Sequence, residues 1–398
     1  MVKVSGINII AFVSLWYFFF QAIPVLTPGN AAVNVALGAI SAAFLLKNNK
    51  GFNKFRKYWS IIFFLIFISL FFSFDVISTW KMLIKTIAYF LVAEAITNKK
   101  ENYDSIIYMM EIFLIIALIV TYIQGLLPSV YYSTIVKYIS KSAEENLYIF
   151  RNVGVTNGVF VQTGMNAFCL SVGFIIVCSK ALYFNKYRVF NLILSCLFMV
   201  GIFMTGKRSF FIILIALVVM NFYIKNRQSK NIFRLLLYFV VLLVFYELLI
   251  YLPKIIPSLE YSYSRIFEFL KDQDIGSRKD LYAEAIRVIK ANPLGVGYGA
   301  YPAVSSYKMD VHNSYLQIIA EMGWVFGILF FIPCFYSVKR AGRILNKKIY
   351  SQNTVKDNFL LSLSFVFQIM FYAYALSGNP FDMPVFMFLL FVFQKIAM

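Results

Sequence analysis

The stretch Met309-Asp-Val-His-Asn-Ser-Tyr-Leu-Gln-Ile-Ile-Ala-Glu-Met-Gly-Trp-Val-Phe-Gly327 carries a long polar segment into an apolar one. It holds His312, the single histidine of the sequence. Asn313, Gln317 and Glu321 recur at every fourth position, so a helix stacks all three polar groups on one face. Inside a membrane such a stripe is costly unless it faces a cavity or a partner, which makes it a functional candidate. Gly323 and Gly327 repeat the spacing and predict close approach by another helix. The plainer alternative is a helix start held by local hydrogen bonds, with a surface histidine beside it.

Working outward, the 398 residues are 61% hydrophobic and 19% aromatic, with a mean hydropathy of +0.75. That balance excludes a soluble domain of this size. Apolar runs of about 20 residues, the length that crosses a bilayer, recur along the chain. They predict an all-α, polytopic integral membrane protein with about 12 transmembrane helices in a single membrane domain over 1–398. The spans fall near 7–26, 30–46, 58–74, 79–97, 105–127, 165–183, 189–205, 209–224, 235–252, 313–336, 358–376 and 384–397. The beginning of the chain lacks a small-residue cleavage site and reads as a first anchor rather than a removed signal. Cys169, Cys178, Cys196 and Cys334 all lie in apolar runs, which argues for packing and against a disulfide framework.

The formal charge of +19 raises the question of nucleic acid, and the position of the charges answers against it. Lysines and arginines crowd every second loop, around Lys50, Lys99, Lys186, Arg227 and Arg343. The intervening short loops, such as Thr27-Pro28-Gly29 and Ser377-Gly-Asn-Pro380, hold almost none. This alternation predicts cytoplasmic termini. Two long segments are then left outside, 128–164 and 253–312, with room for chemistry. The second contains a predicted short amphipathic helix. Ser277 and Asp280 signal its start, Leu281, Ala285, Val288 and Ile289 form its apolar stripe, and Asn292-Pro293 ends it.

Positive residues on the outer side break the bias and need reasons. Lys207 and Arg208 sit at the tip of a tight turn, Thr205-Gly-Lys-Arg-Ser209, between two apolar helices. Arg208 can aim at an anion beside a helix N-terminus, or snorkel toward lipid head groups. Gly201 to Arg208 nearly spells a phosphate loop, but the next hydroxyl residue is missing and the intervening residues belong to an apolar helix. Arg151, Arg265, Arg278 and Arg287 also lie outside, and arginine suits a diphosphate better than lysine does. Arg287, three residues after Glu284, pairs with it more readily than with a ligand. Asp272-Gln-Asp274 has the spacing of a carboxylate pair, which is common in solvated loops. Gly295-Val-Gly-Tyr-Gly299 follows a helix rather than a strand, so it is not a dinucleotide fingerprint; it predicts a flexible bend. Its neighbours Tyr298, Tyr301 and Tyr307 either stack on sugars or sit at the membrane interface.

In their order, these residues resemble the superfamily of bacterial O-antigen polymerases and O-antigen ligases. The resemblance runs from Arg151-x-x-Gly154 and Asn166, through Thr205 to Ser209 and Ser277-Arg278 to Asn292-Pro293, to the glycine bend. Its most diagnostic part is His312-Asn313 followed by Leu316-Gln317, Glu321 and Gly323. The chain departs from the family in placing its second glycine, Gly327, four residues after the first rather than three.

The resemblance implies a GT-C-like, metal-independent, inverting glycosyltransferase without a cofactor. Its substrate would be an undecaprenyl-diphosphate-linked oligosaccharide, drawn from among membrane lipids at the outer face of the bacterial cytoplasmic membrane. It allows a chain-length regulator protein as partner and no nucleic acid. The residue chemistry fits independently, because arginines can stabilise a departing diphosphate and histidine suits general-base work near neutral pH. His312, Arg208 and Arg278 are the expected catalytic residues. Arg151, Arg265, Lys207, Asn313, Gln317, Glu321, Tyr298 and Tyr301 are expected to bind substrate. A polymerase extending a lipid-linked repeat unit, as for O-antigen or capsule, is favoured over a ligase acting on lipid A core. A transporter or flippase is the reading from another class, but it calls for paired repeats that the sequence lacks.

Overall fold

In a bilayer every backbone N–H and C=O has to be satisfied within its own segment, so apolar runs of this kind fold as helices. The computed structural model describes residues 6–21, 30–47, 54–139, 154–226, 278–346 and 354–398, with a few isolated positions between them. The described residues are all-α and contain no strand. In chain order the helices are α1 (Gly6–Phe20), α2 (Asn30–Lys47), α3 (Lys54–Ser69), α4 (Val76–Ile96), α5 (Tyr103–Leu126) and the short α6 (Pro128–Thr134). There follow α7 (Thr163–Tyr183), α8 (Arg188–Met204), α9 (Arg208–Asn226), α10 (Arg278–Ala291), the single turn α11 (Tyr301–Val304), α12 (Ser314–Asn346), α13 (Val355–Tyr374) and α14 (Pro384–Ala397).

Each predicted span coincides with one of these helices except 235–252, which lies outside the described residues. Among the described residues five stretches are long and apolar enough to cross a membrane: Lys54–Phe72, Val76–Ile96, Lys100–Leu126, Thr163–Tyr183 and Ser314–Leu345. Shorter apolar helices surround them. The chain is a polytopic helical membrane protein. Helix α7 is the most enclosed of the five long stretches, 83% buried within the protein. It packs against α5, α8 and α13, where Gly173 brings its backbone against the Phe198 ring. At one end of the bundle the buried Glu94 of α4 accepts from Arg56 of α3 at 2.9 Å and Lys395 of α14 at 2.8 Å. Pairing of this kind is what lets a carboxylate persist inside a span.

The opposite end carries the described parts of the two long segments. Part of 128–164 is ordered against the bundle: the Tyr131 hydroxyl donates to the Gly158 carbonyl at 2.7 Å, and Gln124 Oε1 accepts from the backbone of Asn157 and Gly158. In 253–312 the predicted helix is present as α10, and Leu281, Ala285, Val288 and Ile289 are its buried stripe. Ala285, Val288 and Ile289 pack with Val296, Tyr301, Val311 and Ala320, so α10 covers the start of α12.

Two expectations are corrected at the glycines. Helix α12 is not continuous: Gly323, at φ 76° and ψ 172°, breaks it into segments 314–322 and 324–346. Gly323 therefore does not form a helix-packing seam with Gly327. Gly327 instead lets the second segment fold back on the first, since a β-carbon there would lie 2.9 Å from Ile319 Cα. Nor is Gly295–Gly299 a flexible bend. The N–H groups of Val296 and Gly297 donate to the carbonyls of Ala320 and Glu321 at 3.1 and 2.8 Å, and Trp324 N–H returns a bond to the Pro293 carbonyl at 3.2 Å. The glycine bend is the C-terminal cap of the first segment, satisfying carbonyls that the break would orphan.

Candidate active site

The polypeptide around His312 is fixed on both sides. Asn313 caps α12, its Oδ1 accepting from the N–H groups of Tyr315 at 3.0 Å and Leu316 at 3.2 Å. Ser314 N–H donates to the Ala375 carbonyl at 2.9 Å, and Ser314 Oγ donates to the Gly378 carbonyl at 3.1 Å. Val311 N–H donates to Gln317 Oε1 at 3.2 Å. Between these ties His312 holds a left-handed φ of 56° and an exposed side chain. A non-glycine residue there carries strain of about 1–3 kcal/mol, a cost that clusters at functional sites.

Arg278, Lys207 and Asp310 act electrostatically on the imidazole. Desolvation pushes its pKa below the ordinary histidine value and the charges of Arg278 and Lys207 push the same way, while Asp310 opposes them. Lys207 comes from the turn joining α8 to α9, and Arg278 is the first residue of α10, half-buried. Two cations and an imidazole are thus brought into electrostatic reach of one another from three separate parts of the chain. Arg208 is the first residue of α9, and nothing of its side chain belongs to the described structure. Arg151, Arg265, Asp272 and Asp274 lie outside the described residues.

The polar stripe on the first segment of α12 has one hub. The Gln317 side-chain nitrogen donates toward Asp382 Oδ2 at 2.9 Å, Asp310 Oδ1 at 3.1 Å and Glu321 Oε1 at 3.2 Å. An amide has two such protons for these three acceptors, so the carboxyls compete for them. Asp382 lies between α13 and α14, and burial followed by the neighbouring carboxyls of Glu321 and Asp310 pushes its pKa well above the ordinary range. Among the described residues no group of three His, Cys, Asp or Glu side chains is arranged to hold a metal ion. A cavity of about 260 Å³ opens beside this hub, lined by Asp310, Gln317, Asp382, Ser78, Lys81 and Lys85.

Two expected sugar-stacking residues are corrected. Tyr298 and Tyr301 are each 0% exposed, so neither ring offers a face to a saccharide. Tyr298 packs near Phe330 and Tyr301 joins the small core under α10. Glu321 is also 0% exposed and faces Gln317 rather than the cavity. Arg287 forms the expected pair with Glu284, at 2.8 and 2.7 Å. Sequence reading missed Lys81, Lys85 and Asp382. The signal for the lysines was available: two cations four residues apart inside an apolar span. Asp382 had none, because its partners are remote in sequence.

The family model described as O-antigen ligase matches residues 190–332, which include Lys207, Arg278, His312 and Gln317. Over that stretch, about a third of its length, the chain is similar to the O-antigen ligase family model. The sequence matches no curated protein.

Proposed function

We propose that this protein is a bacterial polysaccharide polymerase. It would transfer a glycan from an undecaprenyl-diphosphate carrier to a lipid-linked repeat unit at the outer face of the cytoplasmic membrane. The observation that carries the reading is His312, fixed in a left-handed conformation with its pKa lowered by desolvation and the charges of Arg278 and Lys207. His312 removes the proton from the acceptor hydroxyl as its oxygen attacks the anomeric carbon. The bond from that carbon to the diphosphate breaks, and Arg278, Lys207 and Arg208 stabilise the departing charge without a divalent ion. The alternating lysine and arginine bias supports cytoplasmic termini and an outward-facing site.

The test is incubation of the purified protein with a lipid-linked repeat unit, with lipid A core offered in a parallel reaction. A ladder of longer lipid-linked glycans is the expected result. Transfer to lipid A core alone would make the protein a ligase. Movement of intact substrate across a vesicle membrane without glycan extension would make it a transporter.

A further inference from the structure

Helix α4 begins with a firm cap, Asp75 accepting from Ser78 N–H at 3.0 Å and Ser78 Oγ at 2.6 Å. Lys81 and Lys85 follow on one face of this apolar helix, six and ten residues beyond the cap. Neither makes a salt bridge among the described residues. Lys85 lies about 13 Å along the helix from its first residue, at 1.5 Å per residue. A cation so far into a span is costly, and both lysines instead line the cavity that also holds Asp310, Gln317 and Asp382.

The position of the cavity relates it to the candidate reaction. Asp310 forms part of its wall and lies two residues before His312. Arg278 and Lys207, the cations acting on the imidazole, do not line it. The cavity is therefore distinct from the cation pair, and Asp310, which lines it, also acts electrostatically on His312. Its size suits one sugar ring rather than a whole repeat unit. Its walls alternate donors and acceptors, as a polyhydroxylated ring requires. Two lysines stand on the cavity wall, and neither lies within salt-bridge distance of a carboxylate among the described residues. An anionic group on the ring would give them a partner.

Resting on the proposed glycan transfer, we infer that this cavity is the acceptor subsite and that it takes a sugar bearing an anionic group, as a hexuronate does. Lys81 and Lys85 hold the anionic group, Gln317 and Asp310 orient the ring, and the attacking hydroxyl is presented to His312. None of the lining residues takes part in bond breaking; they are positioning and specificity residues.

The experiment measures binding of small probes to the full-length purified protein, by ligand-observed NMR, apart from any turnover. The probes are methyl glucuronide, methyl glucoside and glycerol phosphate, the last standing for a lipid head group. Methyl glucuronide is expected to bind more tightly than the other two. Its binding should weaken at least about tenfold in Lys81→Gln/Lys85→Gln, as loss of charge-assisted contacts gives. Lys81→Arg/Lys85→Arg keeps the charge and should retain binding, as should His312→Ala. Equal binding of glucuronide and glucoside, or glucuronide binding indifferent to the lysines, overturns the inference. Tighter, competitive binding of glycerol phosphate also overturns it and makes the cavity a lipid head-group site. If glucuronide binding maps to the lysines while no acceptor is ever extended, the acidic-sugar cavity stands and the transferase reading falls. If extension occurs with no preference for the anionic ring, the cavity's role alone is refuted.

Discussion

Gly297 donates its backbone N–H to the carbonyl of Glu321 at 2.8 Å, joining the glycine bend to the end of the first segment of α12. The bond exists because Gly323 turns the chain out of the helix immediately afterwards, at φ 76°. Bend and break depend on each other, and the segment that follows His312 is held between them.

Alanine at Gly323 or Gly295 should therefore destabilise the protein. A β-carbon at Gly323 would lie 2.5 Å from the Pro293 carbonyl oxygen, and one at Gly295 would lie 2.4 Å from that of Glu321. Both obstacles are backbone and cannot rotate away. A left-handed non-glycine residue adds about 1–2 kcal/mol before any clash. Gly342→Ala is the control, since its β-carbon meets only the Phe365 ring, at 3.1 Å. Thermal unfolding of the purified proteins should fall clearly for the first two variants and little for the third. Equal melting of all three would show that the cap is dispensable.

Glu284 ties α10 to the chain beyond it and should make the site end sensitive to acid. Its carboxylate accepts from Arg287 and from the N–H and Oγ of Ser306, at 2.9 and 2.8 Å for the serine. The Arg287 hydrogen bonds, then the Ser306 backbone, hold its pKa down to about 2. The folded value lies below the unfolded one, near 4.3 for glutamate. The stabilisation is thus complete above that unfolded value and is lost as pH falls toward about 2. Glu284→Gln should melt below wild type at pH 7, with the gap narrowing at pH 3. A gap independent of pH would mean that packing, not charge, fastens α10.

How far the sequence reveals this arrangement depends on the range of the interactions. Spans and their order were legible because bilayer thickness imposes a local length and hydropathy rule, which α3, α4, α5 and α7 obey. Helix α10 was legible from the buried stripe Leu281, Ala285, Val288 and Ile289, since an apolar face at helical spacing is a local signal. The break at Gly323 was not, because glycine inside an apolar helix equally signals packing, and only the distant Pro293–Gly297 segment decides between them. The exposure of tyrosines was misjudged for the same reason: Tyr298 is buried by Phe330, remote in sequence. Gln317 stood out by its spacing from Asn313 and Glu321, but its third carboxyl partner, Asp382, is 65 residues away.

Arg278→Lys should impair transfer although the charge is kept, because lysine lacks the planar fork that engages two phosphate oxygens. Arg208→Lys should do the same if its guanidinium reaches the diphosphate. A charge-assisted contact contributes roughly 1.5–3 kcal/mol, so turnover should fall at least about tenfold. Chelator should leave wild-type activity intact if, as proposed, the cations stand in for a divalent ion. Loss of activity on chelation, restored by magnesium or manganese, would overturn that account. Near-normal turnover of both variants at matched protein levels would leave the arginines as interface anchors.

The last expectation concerns His312 and separates chemistry from binding. His312→Ala should lower glycan extension by roughly 10²–10⁴-fold, the usual contribution of a general base. Donor affinity should be largely kept, because in the proposed mechanism Arg278 and Lys207 hold the diphosphate. The pH profile gives a finer test. A base works deprotonated, and the imidazole pKa is depressed by desolvation and by Arg278 and Lys207. The acid limb of kcat/KM should therefore lie below the ordinary histidine value of about 6.5. Arg278→Gln removes a depressing charge and should move that limb to higher pH, while Asp310→Asn removes the opposing charge and should move it lower. Shifts in these opposite directions would identify His312 as the titrating base. A profile that ignores both substitutions, or full activity of His312→Ala, would return the histidine to the role of a polar residue at the start of a helix.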